Sequence, residues 1–356
     1  MPTLLWWGRS DPEYSRNRII LNLLSGLGWS THIFHPLVSG LGVMEAYCRR
    51  LKRPDLIWVP CFRHRDIASA SYWASLWQVP LVIDPLISAY EKEVFERNKY
   101  DPGSLKGKKR RHREADLFSR ADIVVADTPA HAEYFNTELN VPLDRLMTLY
   151  VGAETDLFKP VDVPHLKKPY QILFYGSFLK LQGTETIVSA AKQTRDLGIT
   201  WTLLGEGDLK SDCMQMAEGY DHIRFEPWME YQKLPVLISQ AHVLLGIFGT
   251  SLKADLVIPN KIFQAMAVGR AVITRRSKAY VDTLNESETV GWVPAGDPSA
   301  LAFLVRKWFE DPSHLMERGR QTRRLFDTFF GGPILEAALD KILDAALHKK
   351  RKLKDK

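Results

Sequence analysis

Short apolar runs alternate with longer amphipathic stretches twice over, with a proline-rich break between the two series. That pattern constrains the fold more than any other feature, because it is what parallel sheets covered by helices require. In the first half, Thr3–Trp7, Thr31–Phe34, Leu56–Val59, Leu81–Asp84, Ile123–Ala126 and Met147–Tyr150 read as strands. The stretches Ser15–Leu27, Gly42–Lys52, Asp66–Trp77, Ala89–Ser119 and Pro129–Glu138 read as helices. The run FKPVDVPHLKKP, Phe158–Pro169, has prolines and no periodicity and reads as a linker. The alternation then restarts: Gln171–Tyr175, Thr200–Leu204, Ile223–Phe225, Val243–Ile247, Ala271–Thr274 and Gly291–Val293 as strands, and Thr184–Leu197, Lys210–Ala217, Lys233–Gln240, Lys261–Val268 and Pro298–Phe309 as helices. Near the end Leu335, Leu339, Ile342, Leu343 and Leu347 mark an amphipathic helix with a stripe to bury. The expectation is an α/β protein with two Rossmann-like doubly wound domains, 1–160 and 170–330. Residues 331–356 follow as a crossover helix, packing back on the first domain, and a basic tail.

A chain of 356 residues is large enough for two cores. With 45% apolar and 25% charged residues, disorder is excluded as the main theme, and no apolar run reaches the twenty residues that a membrane-spanning helix needs. The start MPTLLWWGRSDPE lacks the basic leader and the long apolar run of a signal peptide. Cys48, Cys61 and Cys213 have neither paired nor metal-like spacing, which fits free thiols in a reducing cytoplasm. The net charge of +6 is local. It gathers in Lys106, Lys108, Lys109, Arg110, Arg111 and Arg113 and in the tail KKRKLKDK, on a mildly acidic body. The first cluster follows Tyr90, Phe95 and Tyr100, a composition suited to an anionic bilayer surface. Solvated loops account for it as well, and nucleic acid is disfavoured because the aromatics are not interleaved with the charges.

Doubly wound sheets hold ligands beyond the carboxyl ends of their strands. That rule selects Gly8, Arg9, Ser10 and Asp11, then Arg63 and His64, Asp84, and Asp127 with Thr128 in the first domain. In the second it selects Gly176 and Ser177, then Gly205, Glu206 and Gly207, then Gly249, Thr250 and Ser251, and Thr274 with Arg275. Glycine at strand ends is commoner in the second domain, which points to a phosphate-bearing ligand there. Within GIFGTSLKADLVIPNKIFQAMAVGRAVITRR, Pro259 and Asn260 suit a helix start, Gly269 a helix stop, and Lys261 would add a full charge to the positive end of that helix. An ordinary strand–helix unit with a solvated lysine accounts for the spacing equally well.

Taken together, ILFYGSFLKLQGTETIVSAA, WTLLGEGD, HIRFEPWMEYQKLPVLISQAHVLL, PNKIFQAMAVGRAVIT and WVPAGDPSALA resemble, in order and spacing, the donor domain of glycosyltransferase family 4. ADIVVADTPAHAEYF and VGAETDLFKP resemble the end of that family's first domain. The resemblance covers Ala121–Phe309 and is weaker before it. It implies the GT-B architecture, two domains facing across a cleft, and transfer of a sugar from a nucleotide-activated donor with retention, without a metal or other cofactor. The acceptor is then a glycan or a lipid-linked molecule, and the place is the cytoplasm or the inner face of the membrane, reached through Lys106–Arg113 and the tail.

Carried onto this chain, the family's donor contacts fall on Gly176, Ser177, Lys180, Gln182, Gly183, Gly205, Glu206, Gly207, Gly249, Thr250, Ser251, Asn260, Lys261 and Gln264. Gln264 stands where many members have the ribose-binding glutamate. The first glutamate of the family's pair is missing, its place falling on Leu256 or Gly246, and Ser177 and Gln182 replace the usual arginine and lysine. Charge neutralisation then falls to Lys180, Lys253 or Lys261, or to the helix N-terminus itself; Lys261 is taken to pair with the diphosphate, and Asp84 and Asp127 become the candidates for orienting the acceptor, beside Gly8, Arg9, Asp11, Arg63 and His64. Each aspartate reads equally well as a helix cap. A sugar-nucleotide 2-epimerase and a catalytically weak nucleotide-sugar or glycan-binding protein are the alternatives.

Overall fold

The computed structural model describes residues 1–162 and 166–354. The chain divides into two units, Met1–Val151 with Pro333–Lys356, and Gly152–Gly332, so the proline-rich segment lies in the second. Residues 163–165 of that segment and 355–356 of the tail lie outside the described residues, as do the side chains of Thr283 and of 350 onward.

The first unit holds a six-stranded parallel sheet in the order β2-β1-β3-β4-β5-β6: β1 Thr3–Trp7, β2 Ser30–Phe34, β3 Leu56–Val59, β4 Leu81–Ile83, β5 Ile123–Ala126 and β6 Leu146–Thr148. β3, β4 and β5 are buried along their whole length, as strands covered on both faces must be. The last helix, Gly332–Lys354, places Leu335, Leu339, Ile342, Leu343 and Ala346 in one core with Leu4, Trp6, Ile20, Leu24 and Trp58. The apolar stripe read from the sequence therefore closes the first unit.

In the second unit the order is β12-β11-β10-β7-β8-β9, with β7 Tyr170–Tyr175, β8 Ile199–Leu204, β9 Ile223–Glu226, β10 Val243–Leu245, β11 Ala271–Arg275 and β12 Gly291–Val293. All its pairings are parallel. The strand order reverses between β7 and β10, which makes the loops after those two strands the expected ligand position.

Three helical expectations change. The stretch Ala89–Ser119 is broken: a turn at Ala89–Glu91 runs into a π-helical segment Lys92–Glu96, and a new helix starts at Leu105 with Ser104 accepting from the Gly107 N–H. Asn98 at φ 48° and the Pro102-Gly103 pair end the first piece. The segment after Ser251, for which no helix is expected from the sequence, forms the short helix Leu252–Leu256, capped by the Ser251 hydroxyl. The helix His314–Phe329 was not anticipated, because its buried face is only Leu315, Gly319, Thr322 and Phe326 in a charged sequence.

Among the aromatics before the basic cluster, Tyr90 is buried and Phe95 packs edge-on to it, so they do not form an open face. Lys106, Lys108, Lys109 and Arg113 are exposed, whereas Arg110 pairs with Glu93 and Arg111 donates to the Glu138 carbonyl. Among the described residues no helix is long and apolar enough to cross a membrane.

Glu114 ties this basic helix to the loop after β4, accepting from the Ser88 hydroxyl at 2.8 Å and the N–H groups of Ala89 and Tyr90 at 2.7 Å. Burial alone would raise its carboxyl; His64, 3.3 Å away, and these N–H donors outweigh that and hold it below its ordinary value. A carboxylate depressed by folding stabilises fully above its unfolded value, about 4.3, and that stability is lost as pH falls through the folded value. Glu114→Gln is expected to cost about 1–3 kcal/mol at neutral pH. It should also flatten the acid side of the stability profile, read by urea denaturation across a pH series.

Candidate functional site

At the switch point of the second sheet the chain makes two loops that touch through their backbones. The first leaves β7 at Gly176 and reaches the helix Thr184–Gln193 through Gly183, at φ 65°. The second leaves β10 through Gly246–Gly249. A Cβ on Gly183 would stand 2.6 Å from the Gly249 nitrogen, and one on Gly249 would stand 2.3 Å from the Lys180 carbonyl oxygen. These two glycines are therefore required by the crossing of the loops. Phe248 N–H donates to the Gln182 carbonyl at 2.9 Å and locks the crossing.

Lys261 enters this crossing from below. It lies in the first turn of Asn260–Val268, is 6% exposed, and reaches back to the end of β7. Its Nζ donates to Gln182 Oε1 at 2.5 Å, lies 3.8 Å from the centre of the Phe174 ring, and would be 2.9 Å from a Cβ on Gly176. Among the described residues no carboxylate pairs with it. Burial pushes its ammonium well below the ordinary lysine range. A buried amine with one amide partner, beside a glycine turn and at a helix start, is suited to pair with an anion.

Gln264, one turn on, is 2% exposed and held at both ends. Its carbonyl accepts from the Tyr175 hydroxyl at 2.7 Å, and its amide donates to the Tyr231 hydroxyl at 2.9 Å, which itself donates to Glu154. Arg275, at the end of β11, fixes the second loop by donating to the Gly249 carbonyl and to Asp255, both at 2.8 Å. Ser177, Lys180, Glu206, Gly207 and Thr250 are exposed around these loops, Ser251 and Asn260 partly so, and Gly205 is buried. Glu206 pairs with Lys210 at 2.8 Å. Gly205 sits where a Cβ would meet the Gly176 carbonyl at 2.0 Å, so the ends of β7 and β8 are also in backbone contact.

The first-unit candidates divide into two groups. Gly8, at the switch point between β1 and β3, lies against Arg63 and Asp66; Arg63 donates to Asp66 Oδ2 at 2.6 Å and to Ser39 at 3.0 Å. Arg9 donates to the Leu37 carbonyl, Asp11 accepts from the Glu13 N–H, and His64 contacts the Ile87 carbonyl. The aspartates lie deeper. Asp84 is wholly buried, with both oxygens taken by Arg16 at 2.7 and 2.8 Å. Arg16 also donates to the Leu149 carbonyl. Asp127 is buried against His131 Nδ1 at 2.6 Å, and the cap of the helix Pro129–Leu139 is Thr128.

Sequence reasoning missed Arg16, His131, Phe174, Tyr175, Tyr231 and Glu154. Arg16 and His131 left a signal, a charged or titratable residue in the first turn of a helix that follows a strand. Tyr231 and Glu154 left none, since their partners are distant in sequence.

Two family models match the chain. "Glycosyl transferase 4-like domain" covers residues 20–152, and "Glycosyl transferases group 1" covers residues 169–311. The putative colanic acid biosynthesis glycosyl transferase WcaI of Escherichia coli (strain K12) is 32% identical over 160 residues, 43% of this chain and 38% of that protein. The chain spans between 38% and 65% of the length of five curated relatives it matches. The structure of Anabaena Alr3699/HepE in complex with UDP superposes with a TM-score of 0.72 at 13% identity, over 97% of this chain and 100% of that one. Sucrose-phosphate synthase from Thermosynechococcus elongatus gives 0.74 at 17% identity, over 96% and 98%. At these identities the likeness shows a shared fold.

Proposed function

Because the chain belongs to the GT-B glycosyltransferases of the family 4 type, matched in both halves, we propose that it moves a sugar, with retention, from a nucleoside-diphosphate donor to a glycan or lipid-linked acceptor. The product belongs to an envelope polysaccharide or glycolipid. The observation that carries this reading is Lys261, an amine with no carboxylate partner among the described residues, lodged against the Gly176 turn at the switch point of the second sheet. Relatives named for colanic acid and amylovoran biosynthesis support the polysaccharide assignment. Similar structures that hold UDP and UDP-glucose support the donor class.

In this reading the diphosphate lies along the loop from Gly176 to Gly183, where Lys261 and the start of the helix Thr184–Gln193 face it. The bond between the anomeric carbon and the β-phosphate oxygen breaks, and its electron pair leaves with the diphosphate. The acceptor oxygen bonds to the same carbon, and its proton passes to the departing phosphate. Lys261 stabilises the charge that grows on that phosphate, the largest electrostatic demand of the reaction. Gln264 positions Lys261's helix through Tyr175 and Tyr231 and offers its remaining amide hydrogen to the ribose. Asp84 and Asp127 order the acceptor side through Arg16 and His131. No metal or other cofactor enters. The two family models and the curated relatives are named as glycosyltransferases, which lends the 2-epimerase reading no support.

Incubation with a panel of nucleotide sugars tests the assignment. Release of the nucleoside diphosphate, faster with a suitable acceptor, is the expected result. Binding of a donor without turnover, across every donor and acceptor, would identify a binding protein instead.

A further inference from the structure

The segment after β2 is a helix turned inside out. Through a 3-10 turn, Ser39–Leu41, it enters the helix Gly42–Cys48, which buries its small residues Gly42 and Ala46. The large apolar residues point outward instead: Leu37 is 72% exposed, Val38 55%, Leu41 54%, Met44 66% and Tyr47 75%. From Val38 they recur every third position, which lines them along one edge. Gly42 is needed because a Cβ there would stand 2.9 Å from the Ser69 hydroxyl, so the helix is seated tightly by its inner face. Beside Tyr47 an open groove of about 500 Å³ runs between Trp73 and Arg50.

Cations stand at both ends of this edge. Arg9 donates to the Leu37 carbonyl at 3.1 Å, and Arg49, Arg50, Lys52 and Arg53 follow Tyr47, all exposed; among the described residues Glu45 forms an ion pair with Arg49 alone of these. An apolar strip with a basic rim is the complement of a bilayer whose headgroups are anionic: the strip enters the acyl boundary and the rim meets the phosphates. A second copy fits less well, since it would bring two basic rims together. One helix edge also supplies far fewer residues than the roughly 20–30 a side of a stable protein interface.

We propose that the edge Leu37–Tyr47, with the basic residues Arg49–Arg53, docks the first unit on an anionic lipid bilayer. This surface is separate from the basic helix Leu105–Ser119, which has charge without an exposed aromatic face.

Co-sedimentation of the full chain with vesicles tests it, using phosphatidylcholine alone and phosphatidylcholine mixed with phosphatidylglycerol. The chain should bind the mixed vesicles. The triple substitution Leu41→Ser, Met44→Ser and Tyr47→Ser should weaken that binding by about tenfold or more. Replacing Arg50, Lys52 and Arg53 by glutamine should weaken binding to the mixed vesicles and leave any binding to phosphatidylcholine alone unchanged. These side chains are exposed, so circular dichroism should show an intact fold. Unchanged binding in the serine variant would overturn the proposal. So would loss of binding on neutralising only Lys106, Lys108, Lys109 and Arg113, or a dimer in solution that the serine variant dissolves.

Discussion

Lys261→Met is expected to remove donor binding while making the ligand-free protein more stable. The amine is buried with one amide oxygen and a ring for company, so the free protein bears most of its desolvation cost. Replacing it by an apolar side chain of similar length should raise stability by about 1–3 kcal/mol, in line with buried charges exchanged for well-packed apolar groups. Donor affinity should fall at least about 30-fold, since truncating one partner of a buried charge pair costs about 2–5 kcal/mol. The pH dependence has a definite sign. Folding depresses this lysine below its unfolded value near 10.4, so the unfolded chain binds more protons between the two values and wild-type stability rises with pH across that window. The methionine variant should lack that slope. A diphosphate beside the amine raises its affinity for a proton, so donor binding takes up protons between the free and bound values and donor affinity should decrease as pH rises across that window. Calorimetry in two buffers of different ionisation enthalpy measures that uptake. Unchanged donor affinity in Lys261→Met would take this residue out of the site.

The second large effect belongs to Arg16 and Asp84. They form a bidentate pair with neither side chain open to solvent, and Arg16 also holds the carbonyl of Leu149 beyond β6. Asp84→Asn leaves the guanidinium buried beside a neutral amide, and a loss of about 3–5 kcal/mol is expected from urea denaturation. Changing both residues together to Met and Leu should recover much of it, because the pair then vanishes without an orphaned charge. If Asp84 instead acts directly on the acceptor, the asparagine variant will unfold like the wild type and lose only turnover.

Much of the fold is legible because strand and helix periods are local. The runs that make β3 and β5 are unbroken and apolar, those of β1, β7 and β8 carry only threonine or glutamine among apolar residues, and all fall within a residue of where the pattern places them. The helix His314–Phe329 escapes this reasoning because Gly319 and Thr322 occupy half of its buried face. In the candidate site, Lys261 is legible from Pro259, Asn260 and the helix that follows. Its partner Gln182 lies 79 residues earlier and Tyr175 is 89 from Gln264, separations that only the sheet order brings together. Gly183 and Gly249 show the same limit: their small size reads as room for a ligand, whereas at both the Cβ position is closed by the backbone of the other loop.

The return of Gly332–Lys354 to the first core bears on how the chain reaches its native state. Leu335, Leu339, Ile342 and Leu343 leave the ribosome only after all of the second unit, yet Trp6, Leu24 and Trp58 are packed on them. The half of the molecule made first is thus completed last. The usual amino-to-carboxyl progression of domain folding is inverted, and until the final helix arrives the nascent first sheet carries an open apolar flank that a chaperone would have to shield.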